Sequence, residues 1–204
     1  QNAGAAPHVR RQHLAVAVDG EAHVDHTLLA RLARGGRIGA LLQQCRHRMT
    51  QAHGRAPQGW LSPWISESAL TPDLLRETGY RYTLNWCHDD QPVPMRTRGG
   101  GTLWSVPYPQ ELNDIPMIVA RQMDGKDFAQ MIVDQFDEML EQTQRNDDAP
   151  SLVMGLALHP YLVGQPYRLR HLRRALQHVA RHSEREVWIT TPGAIVDAVA
   201  GPAA

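Results

Sequence analysis

From residue 55 to the C-terminus, the chain alternates between short apolar segments and longer amphipathic ones. The short segments are rich in aromatic and β-branched residues, as in "YRYTLNW" (80–86) and "TLWSVPY" (102–108). The longer segments carry apolar residues at helical spacing, most clearly over residues 126–144. Strands that alternate with helices of this length are typical of βα units around a parallel sheet or barrel. The sequence therefore predicts an α/β protein.

The most apolar of the short segments, residues 151–158, leads directly into His159 and Pro160. A short continuous apolar run is expected for a strand that is buried on both faces. Ligands of parallel sheets and barrels bind at the carboxyl ends of the strands. His159 is therefore predicted to face a ligand, although a histidine that only caps backbone groups would give the same pattern.

Polar and aromatic side chains also follow the other predicted strands, which should end at the same edge. They are Ser62 and Trp64; Cys87, His88, Asp89 and Asp90; and Tyr108, Glu111, Asn113 and Asp114. A histidine that faces a carboxylate suits hydrolysis of an amide or ester, because one group takes a proton from water and the other protonates the leaving group. Two other interpretations remain open. The pair Asp89-Asp90 is also typical of a turn, and the tryptophans are also typical of packing residues.

Charge and composition argue against nucleic-acid and membrane partners. Lys+Arg and Asp+Glu number 21 each, so the formal net charge is zero, whereas proteins that bind phosphate backbones carry a basic surplus. No apolar run is long enough to cross a bilayer and no secretory h-region is seen, so we expect a cytoplasmic protein. The basic segment 167–182 is predicted to be the outer face of a helix. Cys45 and Cys87 lack CxxC spacing, and they predict neither a zinc site nor a disulfide framework.

Three segments in order resemble the polysaccharide deacetylase family (carbohydrate esterase family 4), above all its branch of metal-independent allantoinases. They are "GRAPQGWLSPWISESALTPDLLRETGYRYTLNWCHDDQP", "VPYPQELND" and "LALHPYLVGQPYRLRHL", and the resemblance covers about residues 41–200. It implies a distorted (β/α) barrel with seven strands. A complete barrel usually needs about 250 residues, so we expect this one to be incomplete at the N-terminus. The prediction is a poorly assigned segment 1–40 and a deacetylase-like domain 41–204.

The resemblance also implies an activity and a set of site residues. The activity is hydrolysis of a carbon–nitrogen bond other than a peptide bond, in an N-acetylated sugar or a cyclic amide. The family's general-acid histidine corresponds to His159, and its motif that orients catalytic groups corresponds to Asp89 and Asp90 with Trp86. The predicted substrate-binding residues are Arg55, Trp60, Ser62, Trp64, Trp86, Tyr108, Glu111, Asn113 and Asp114.

Two family motifs are not found. The Thr-Phe-Asp-Asp-Gly motif, which carries a base and a metal ligand, is echoed in "VAVDG" (16–20) only by Asp19. The motif of two histidines four apart has no counterpart in the N-terminal part, because "HVDH" places His23 and His26 three apart. We therefore predict no metal ligands and no cofactor, while a divalent metal such as zinc remains open.

The missing motifs leave a second interpretation, a catalytically inactive family remnant or a carbohydrate-binding module. Either protein would act on a small-molecule or carbohydrate ligand. An incomplete barrel would also leave a sheet edge uncovered, and uncovered edges invite pairing with another chain. A homo-oligomer is therefore a further expectation.

Overall fold

A computed structural model describes residues 14–19, 38–182 and 186–201 as an α/β structure with two sheets. The first sheet has the order β6 (Leu152–Ala157), β1 (Leu14–Asp19) and β7 (Val187–Thr190), and both pairings are parallel. The segment "HLAVAVDG" (13–20) is typical of a short strand that ends in an Asp-Gly turn, and β1 confirms this prediction. Segment 1–40 thus supplies the middle strand of this sheet. His23 and His26 lie outside the described residues.

The second sheet has the order β2 (Gly59–Trp60), β3 (Tyr82–Thr83), β5 (Thr102–Ser105) and β4 (Val93–Arg96). The first three strands are parallel, whereas β4 pairs with β5 in the antiparallel direction. The segment "CHDDQPVPMRTRGGG" (87–101), with its prolines and glycines, is typical of a loop, so β4 is a correction to that prediction. Its proline, Pro94, argues against a central strand, but β4 lies at the edge of the sheet, where proline is tolerated.

The helices agree with the predicted alternation. They are α1 (Ile38–His53), α2 (Thr71–Glu77), α3 (Gly125–Gln144), the short α4 (Pro160–Val163), α5 (Pro166–Val179) and α6 (Pro192–Ala200), with a 3-10 turn at Pro63–Ile65 and a π-helical segment at Ile115–Ala120. Asp124 caps α3 by accepting a hydrogen bond from the Lys126 amide at 2.7 Å, and Thr191 caps α6. The dipeptide Thr71-Pro72 is typical of an N-cap followed by proline at the first helical position. That prediction is wrong for α2, because Leu70 is the N-cap and the Thr71 hydroxyl accepts from the Ser68 amide.

Strand β6 is buried along its whole length, as its apolar run predicted. Leu152, Met154 and Leu156 belong to one hydrophobic core with residues of α3 and α5. The alternate residues point to the other face, where Val153 contacts Ile195 and Ala157 joins a second cluster. This burial on both faces fixes the direction of the strand, and with it the position of the residues that follow its carboxyl end.

The segment after β5 links the two sheets. It runs on to Asn113, which forms an isolated parallel bridge with Ala157, and the Leu112 carbonyl accepts from the Ala157 amide at 3.0 Å. Residues 112–114 therefore lie beside the carboxyl end of β6. None of the helices in the described ranges combines the length and hydropathy that a bilayer crossing would need.

Candidate active site

His159 and Asp114 form a buried pair just beyond the carboxyl end of β6. One Asp114 oxygen, Oδ2, accepts from the His159 backbone amide at 2.7 Å, and the other, Oδ1, lies 2.5 Å from His159 Nδ1. The exposed fraction of His159 is 4%, and that of Asp114 is 0%. A carboxylate that contacts both the backbone and the ring of one residue holds that imidazole in a single position.

The pairing fixes what the imidazole can do. With Nδ1 bonded to a carboxylate, Nε2 is the nitrogen through which the ring can exchange a proton with a ligand. The negative charge of Asp114 also stabilises the positive charge of the protonated ring, and little water is present to screen that interaction. The arrangement matches the predicted histidine that faces a carboxylate, and it suits a general acid or base.

The carboxylate on His159 is Asp114 and not the predicted Asp89 or Asp90. The Asp90 carbonyl accepts from the Val153 amide at 2.8 Å, near the amino end of β6. Val153 precedes His159 by six residues, which is roughly 20 Å along an extended strand. Asp114, which the resemblance assigned to the substrate border, therefore takes the orienting position, and a catalytic role for Asp89 or Asp90 stays a prediction.

Asp89 and Asp90 lie together on an exposed turn. Asp89 Oδ1 accepts from the Asp90 amide at 2.7 Å, which is the turn interpretation that the sequence left open. Partial burial, together with the charge of Asp89, raises the pKa of the Asp90 carboxyl. Burial, with these two acids and Glu111, also raises the pKa of the neighbouring Cys87 thiol. Cys87 is thus protonated at neutral pH, which argues against a thiolate nucleophile.

A second polar group lies at the carboxyl ends of β2 and β3. Asn85 is at its centre and is 2% exposed. Its Oδ1 accepts from the Ser62 amide at 2.8 Å, and its Nδ2 donates to Ser62 Oγ at 2.9 Å and to Glu67 Oε2 at 2.6 Å. The Trp60 indole N–H donates to the same Ser62 hydroxyl at 2.8 Å. These contacts join the ends of the two strands; we call the set of Trp60, Ser62, Glu67, Asn85 and Trp86 the Asn85 network.

Trp86 extends this network to the surface. Its indole N–H donates to Glu67 Oε1 at 2.5 Å, and half of the residue remains exposed. Next to it, the His88 ring lies at a centroid distance of 6.2 Å from the Trp86 ring, and His88 Nδ1 is 2.8 Å from Ser105 Oγ at the end of β5. An aromatic face held by a carboxylate beside a strand end is a suitable surface for stacking a sugar or another planar ligand.

The remaining predicted site residues divide by burial. Trp60 packs edge-on against Tyr80 and belongs to the core, so the packing interpretation holds for this tryptophan. Tyr108 lies in the same cluster as Leu84 and Ala157 and links the two polar groups through the core. Asn113 accepts from the Ile115 amide and so positions the residue beside Asp114. The exposed members are Arg55, Trp64 and Glu111.

Asp19 also reaches this edge of the structure. It is the last residue of β1, and in the parallel register its backbone lies beside Ala157, two residues before His159. The sequence offered only this aspartate as an echo of the family's first motif. The register gives Asp19 the strand-end location that the motif would have.

Three residues of the site were not singled out from the sequence: Glu67, Asn85 and Ser105. In the structure, Ser105 ends β5 and Asn85 follows the end of β3 by two residues. The predicted segments 80–86 and 102–108 extend past both residues, so they were not recognised as strand-end positions. Glu67 comes from the loop after the 3-10 turn, where nothing local marks it. Its role depends on Asn85 and Trp86, which lie 18 and 19 residues further along the chain.

The described residues at the strand ends do not provide a metal-ligand set. Within the described ranges, the group of His, Cys, Asp and Glu side chains with suitable spacing is Asp137, His178 and His182. These residues belong to α3 and to the end of α5, not to the strand ends.

Comparison with known proteins points to one family. The chain is 24% identical to a peptidoglycan deacetylase of Helicobacter pylori in an alignment of 169 positions that covers 67% of this chain and 55% of that protein. It is 32% identical to a putative polysaccharide deacetylase of Schizosaccharomyces pombe in an alignment of 120 positions that covers 54% of this chain and 36% of the relative. The chain thus spans about half the length of the first relative and a third of the second. No family model matches the sequence.

Solved structures agree. The PuuE allantoinase structure matches with a TM-score of 0.67 at 23% identity, over 81% of this chain and 54% of that one. A probable polysaccharide deacetylase from Pseudomonas aeruginosa PAO1 matches with a TM-score of 0.65 at 22% identity, over 78% of this chain and 52% of that one. A putative polysaccharide deacetylase from Mycobacterium smegmatis gives 0.64 at 21% identity, over 82% and 58%. The resemblance to the polysaccharide deacetylase family is confirmed.

The same matches confirm the predicted fold class. The two sheets, with α3 and α5 on one side, form part of the distorted (β/α) barrel of the polysaccharide deacetylases. In that barrel the carboxyl ends of the strands form the ligand-binding face. Asp114, His159 and the Asn85 network therefore lie at the face where the fold family places its sites.

Proposed function

We propose that the protein hydrolyses a carbon–nitrogen bond other than a peptide bond, either by removing the acetyl group of an N-acetylated sugar or by opening a cyclic amide. The observation that carries the proposal is the buried Asp114–His159 pair at the carboxyl end of β6. The names of the relatives, peptidoglycan deacetylase, polysaccharide deacetylase and allantoinase, support this class of reaction. The ligand is accordingly a small molecule or a carbohydrate.

His159 acts as the general acid in this proposal. A water oxygen attacks the carbonyl carbon of the amide, and the carbon–nitrogen bond then breaks. The leaving nitrogen takes a proton from His159 Nε2, while Asp114 holds Nδ1 and balances the ring's positive charge. Proton transfer from a positioned group is worth roughly 10²–10⁴-fold in rate, so this residue should dominate the effect of substitutions.

The attacking water needs a base, and we assign this role to Asp19. The assignment is supported by its place at the end of β1 and by the register that sets its backbone beside Ala157. A base on β1 and an acid after β6 would come from neighbouring parallel strands. The two groups would then approach a substrate at the same edge of the sheet. Substitution of Asp19 with asparagine should lower kcat by roughly 10²–10⁴-fold, without altering substrate affinity more than a fewfold.

The exposed tryptophans would bind the substrate. Trp64 is 71% exposed and Trp86 is 50% exposed, both beyond the ends of sheet strands. Trp64 also has a positive φ of 54°, which is uncommon for a bulky residue and is often found at binding sites. Sugar rings and cyclic amides both present flat apolar faces that stack on aromatic rings.

The proposal is tested by turnover of the purified 204-residue chain. Acetate release from acetylated amino-sugar oligomers and ring opening of allantoin are measured with and without added divalent metal. His159→Gln should lower kcat by roughly 10²–10⁴-fold. His53→Ala is the matched control, because His53 is an exposed histidine at the end of α1, and it should behave as the wild type.

Two results would contradict the proposal. Turnover that survives in His159→Gln would show that another group is the acid. Binding of sugar oligomers with no turnover of any substrate would favour the alternative interpretation, an inactive remnant or a carbohydrate-binding module. Circular dichroism of each variant separates loss of activity from loss of fold.

A further inference from the structure

The group of Asp137, His178 and His182 lies away from the strand ends, between α3 and the end of α5. His178 Nε2 is 2.6 Å from Asp137 Oδ1, and one ligand atom from each of the three residues lies within 4.8 Å of the others. His178 and His182 are four residues apart, so they face the same side of the helix and the turn that follows it. This spacing is one that helical histidine pairs use to bind zinc.

An aromatic residue of α3 holds both imidazoles. The Phe136 ring, which is fully buried, lies with its centroid 5.8 Å from the His178 ring and 5.0 Å from the His182 ring. The two imidazoles are themselves 5.8 Å apart between centroids. Packing of this kind limits the rotamers of both histidines before any ligand binds, and a preorganised ligand set loses less entropy on binding.

The distances suit a tetrahedral ion. Zinc bonds of about 2.0–2.2 Å to nitrogen and oxygen place neighbouring ligand atoms about 3.4 Å apart. The separations in this group, 2.6 Å for one pair and at most 4.8 Å for any pair, bracket that value. The side chains of Asp137 and His178 are partly exposed, so small rotations can adjust them, and water can reach the fourth position.

The groove beside His178 is lined by cationic side chains, namely Lys126, Arg174 and Arg181. Asp137 is therefore the negative charge that this group itself supplies to a cation. Affinity for a cation then depends on direct coordination by the three residues and not on the charge of the groove.

We infer that Asp137, His178 and His182 form a binding site for a divalent transition-metal ion, such as zinc, that ties the end of α5 to α3. Two imidazoles and one carboxylate, with a position left for water, form a ligand set that zinc accepts readily. The site is separate from the proposed acid and base. Its role is structural, because an ion here would cross-link two helices that cover the sheet of β6, β1 and β7.

Titration of the metal-free full chain with zinc chloride by calorimetry tests this site without substrate. Asp137→Asn and His182→Ala should each weaken binding at this site at least tenfold. His171→Ala is the matched control, since His171 is on α5 and is as buried as His178 but lies outside the group. Zinc at about a hundred times its Kd should raise the Tm of the wild type by roughly 5 °C, and this rise should be lost in Asp137→Asn.

The chain has eleven histidines, so the number of bound ions decides the result. The inference holds if His178→Ala/His182→Ala binds one zinc ion fewer than the wild type and His171→Ala binds as many as the wild type. It is overturned if the wild type binds no zinc, or if the double variant binds as many ions with the same affinity. Asp137→Asn changes an exposed side chain of nearly the same shape, so it keeps the test valid if the histidine variants fold poorly.

Discussion

At the carboxyl end of β6, one buried carboxylate makes two short contacts to a single residue, His159. At the carboxyl ends of β2 and β3, a buried amide donates to a hydroxyl and to a carboxylate. Each of these two groups also accepts from an indole, and the network ends at an exposed ring. The first group is charged, nearly dry and local. The second is spread over two strand ends and reaches the solvent.

The difference separates two demands on a hydrolytic site. A proton donor must keep one position, and a buried carboxylate partner holds it there. A binding surface must present a face to a ligand while its polar atoms stay satisfied, and an extended network of hydrogen bonds supplies that. The comparison therefore predicts different effects for substitutions in the two groups, on kcat in one and on KM in the other.

Among the variants that compare the two groups, Asp114→Asn should have the largest effect. The amide keeps the shape of the carboxylate but removes its charge, and its N–H₂ can only donate toward His159 Nδ1. The ring is then held in the wrong tautomer and its protonated form is no longer stabilised. We expect kcat to fall by roughly 10²–10⁴-fold with KM changed less than threefold. The free energy of unfolding should fall by about 1–3 kcal/mol.

Steady-state kinetics and urea unfolding of Asp114→Asn check both numbers. Asp89→Asn and Asp90→Asn are the matched controls, since they make the same change at the acidic pair that the sequence favoured. If Asp90→Asn lowers kcat as much as Asp114→Asn does, then the charged group at β6 is not the separate catalytic unit that the comparison describes.

These controls also mark how far the sequence alone could go. The alternation of strands and helices, the burial of β6 and the position of His159 at its end were all predictable, because each depends on local pattern. The partner of His159 was not. Asp114 lies 45 residues earlier in the chain, and its approach depends on the bridge between Asn113 and Ala157, which no local pattern reports.

The edge strand β4 and the middle strand β1 show the same limit. Pro94 made β4 hard to predict. Proline is excluded from central strands but tolerated in edge strands, and the sequence does not say which strands are at the edge. The pattern of β1 was readable, but its neighbours were not, since parallel pairing with β6 joins residues far apart in the chain. Pairings over long sequence separations decide this site, and they are not encoded in local periodicity.

Asn85→Ala should have an intermediate effect. Unlike Asp114→Asn, it should change KM more than kcat. It leaves the buried Ser62 amide without its acceptor and frees Glu67, so we expect the free energy of unfolding to fall by about 1–3 kcal/mol. Trp86 loses the support of a fixed Glu67, so KM should rise roughly two- to tenfold, the worth of an aromatic contact. The kcat should change less than threefold.

Trp86→Ala and Trp86→Phe sharpen this point. The alanine variant removes the ring and should raise KM as Asn85→Ala does, with less than about 0.5 kcal/mol lost in stability because the residue is half exposed. The phenylalanine variant keeps a stacking face and should stay within about threefold of the wild-type KM. If kcat in any of these variants falls as much as in Asp114→Asn, then the Asn85 network is not a binding group separate from the catalytic pair.

Tyr80→Phe should have the smallest effect at neutral pH, and it extends the comparison to the opposite end of β3. The Tyr80 hydroxyl is buried and has no hydrogen-bond partner within the described residues, whereas the polar atoms of Asn85 at the carboxyl end are bonded. Removing an unbonded hydroxyl should leave the free energy of unfolding at pH 7 unchanged or raise it by up to about 1 kcal/mol. Its sign is therefore opposite to that of Asn85→Ala.

The free energies of unfolding of the wild type and of Tyr80→Phe should diverge at high pH. Burial, with a smaller contribution from Cys45, raises the pKa of Tyr80 from its ordinary value of 10.0 to about 12, against the opposing effect of the Arg46 charge. The unfolded chain loses this proton first, so the tyrosine's contribution to stability is complete below pH 10 and is lost as the pH rises toward 12, by up to about 1.4 kcal/mol per pH unit. Other groups titrate equally in both proteins, so the difference in urea unfolding between wild type and Tyr80→Phe isolates this residue. If the free energies of unfolding of the wild type and of Tyr80→Phe change in parallel from pH 9 to 11, then Tyr80 ionises in the folded protein as it does in water. The amino end of β3 would then be solvated, and its contrast with the bonded Asn85 network would be lost.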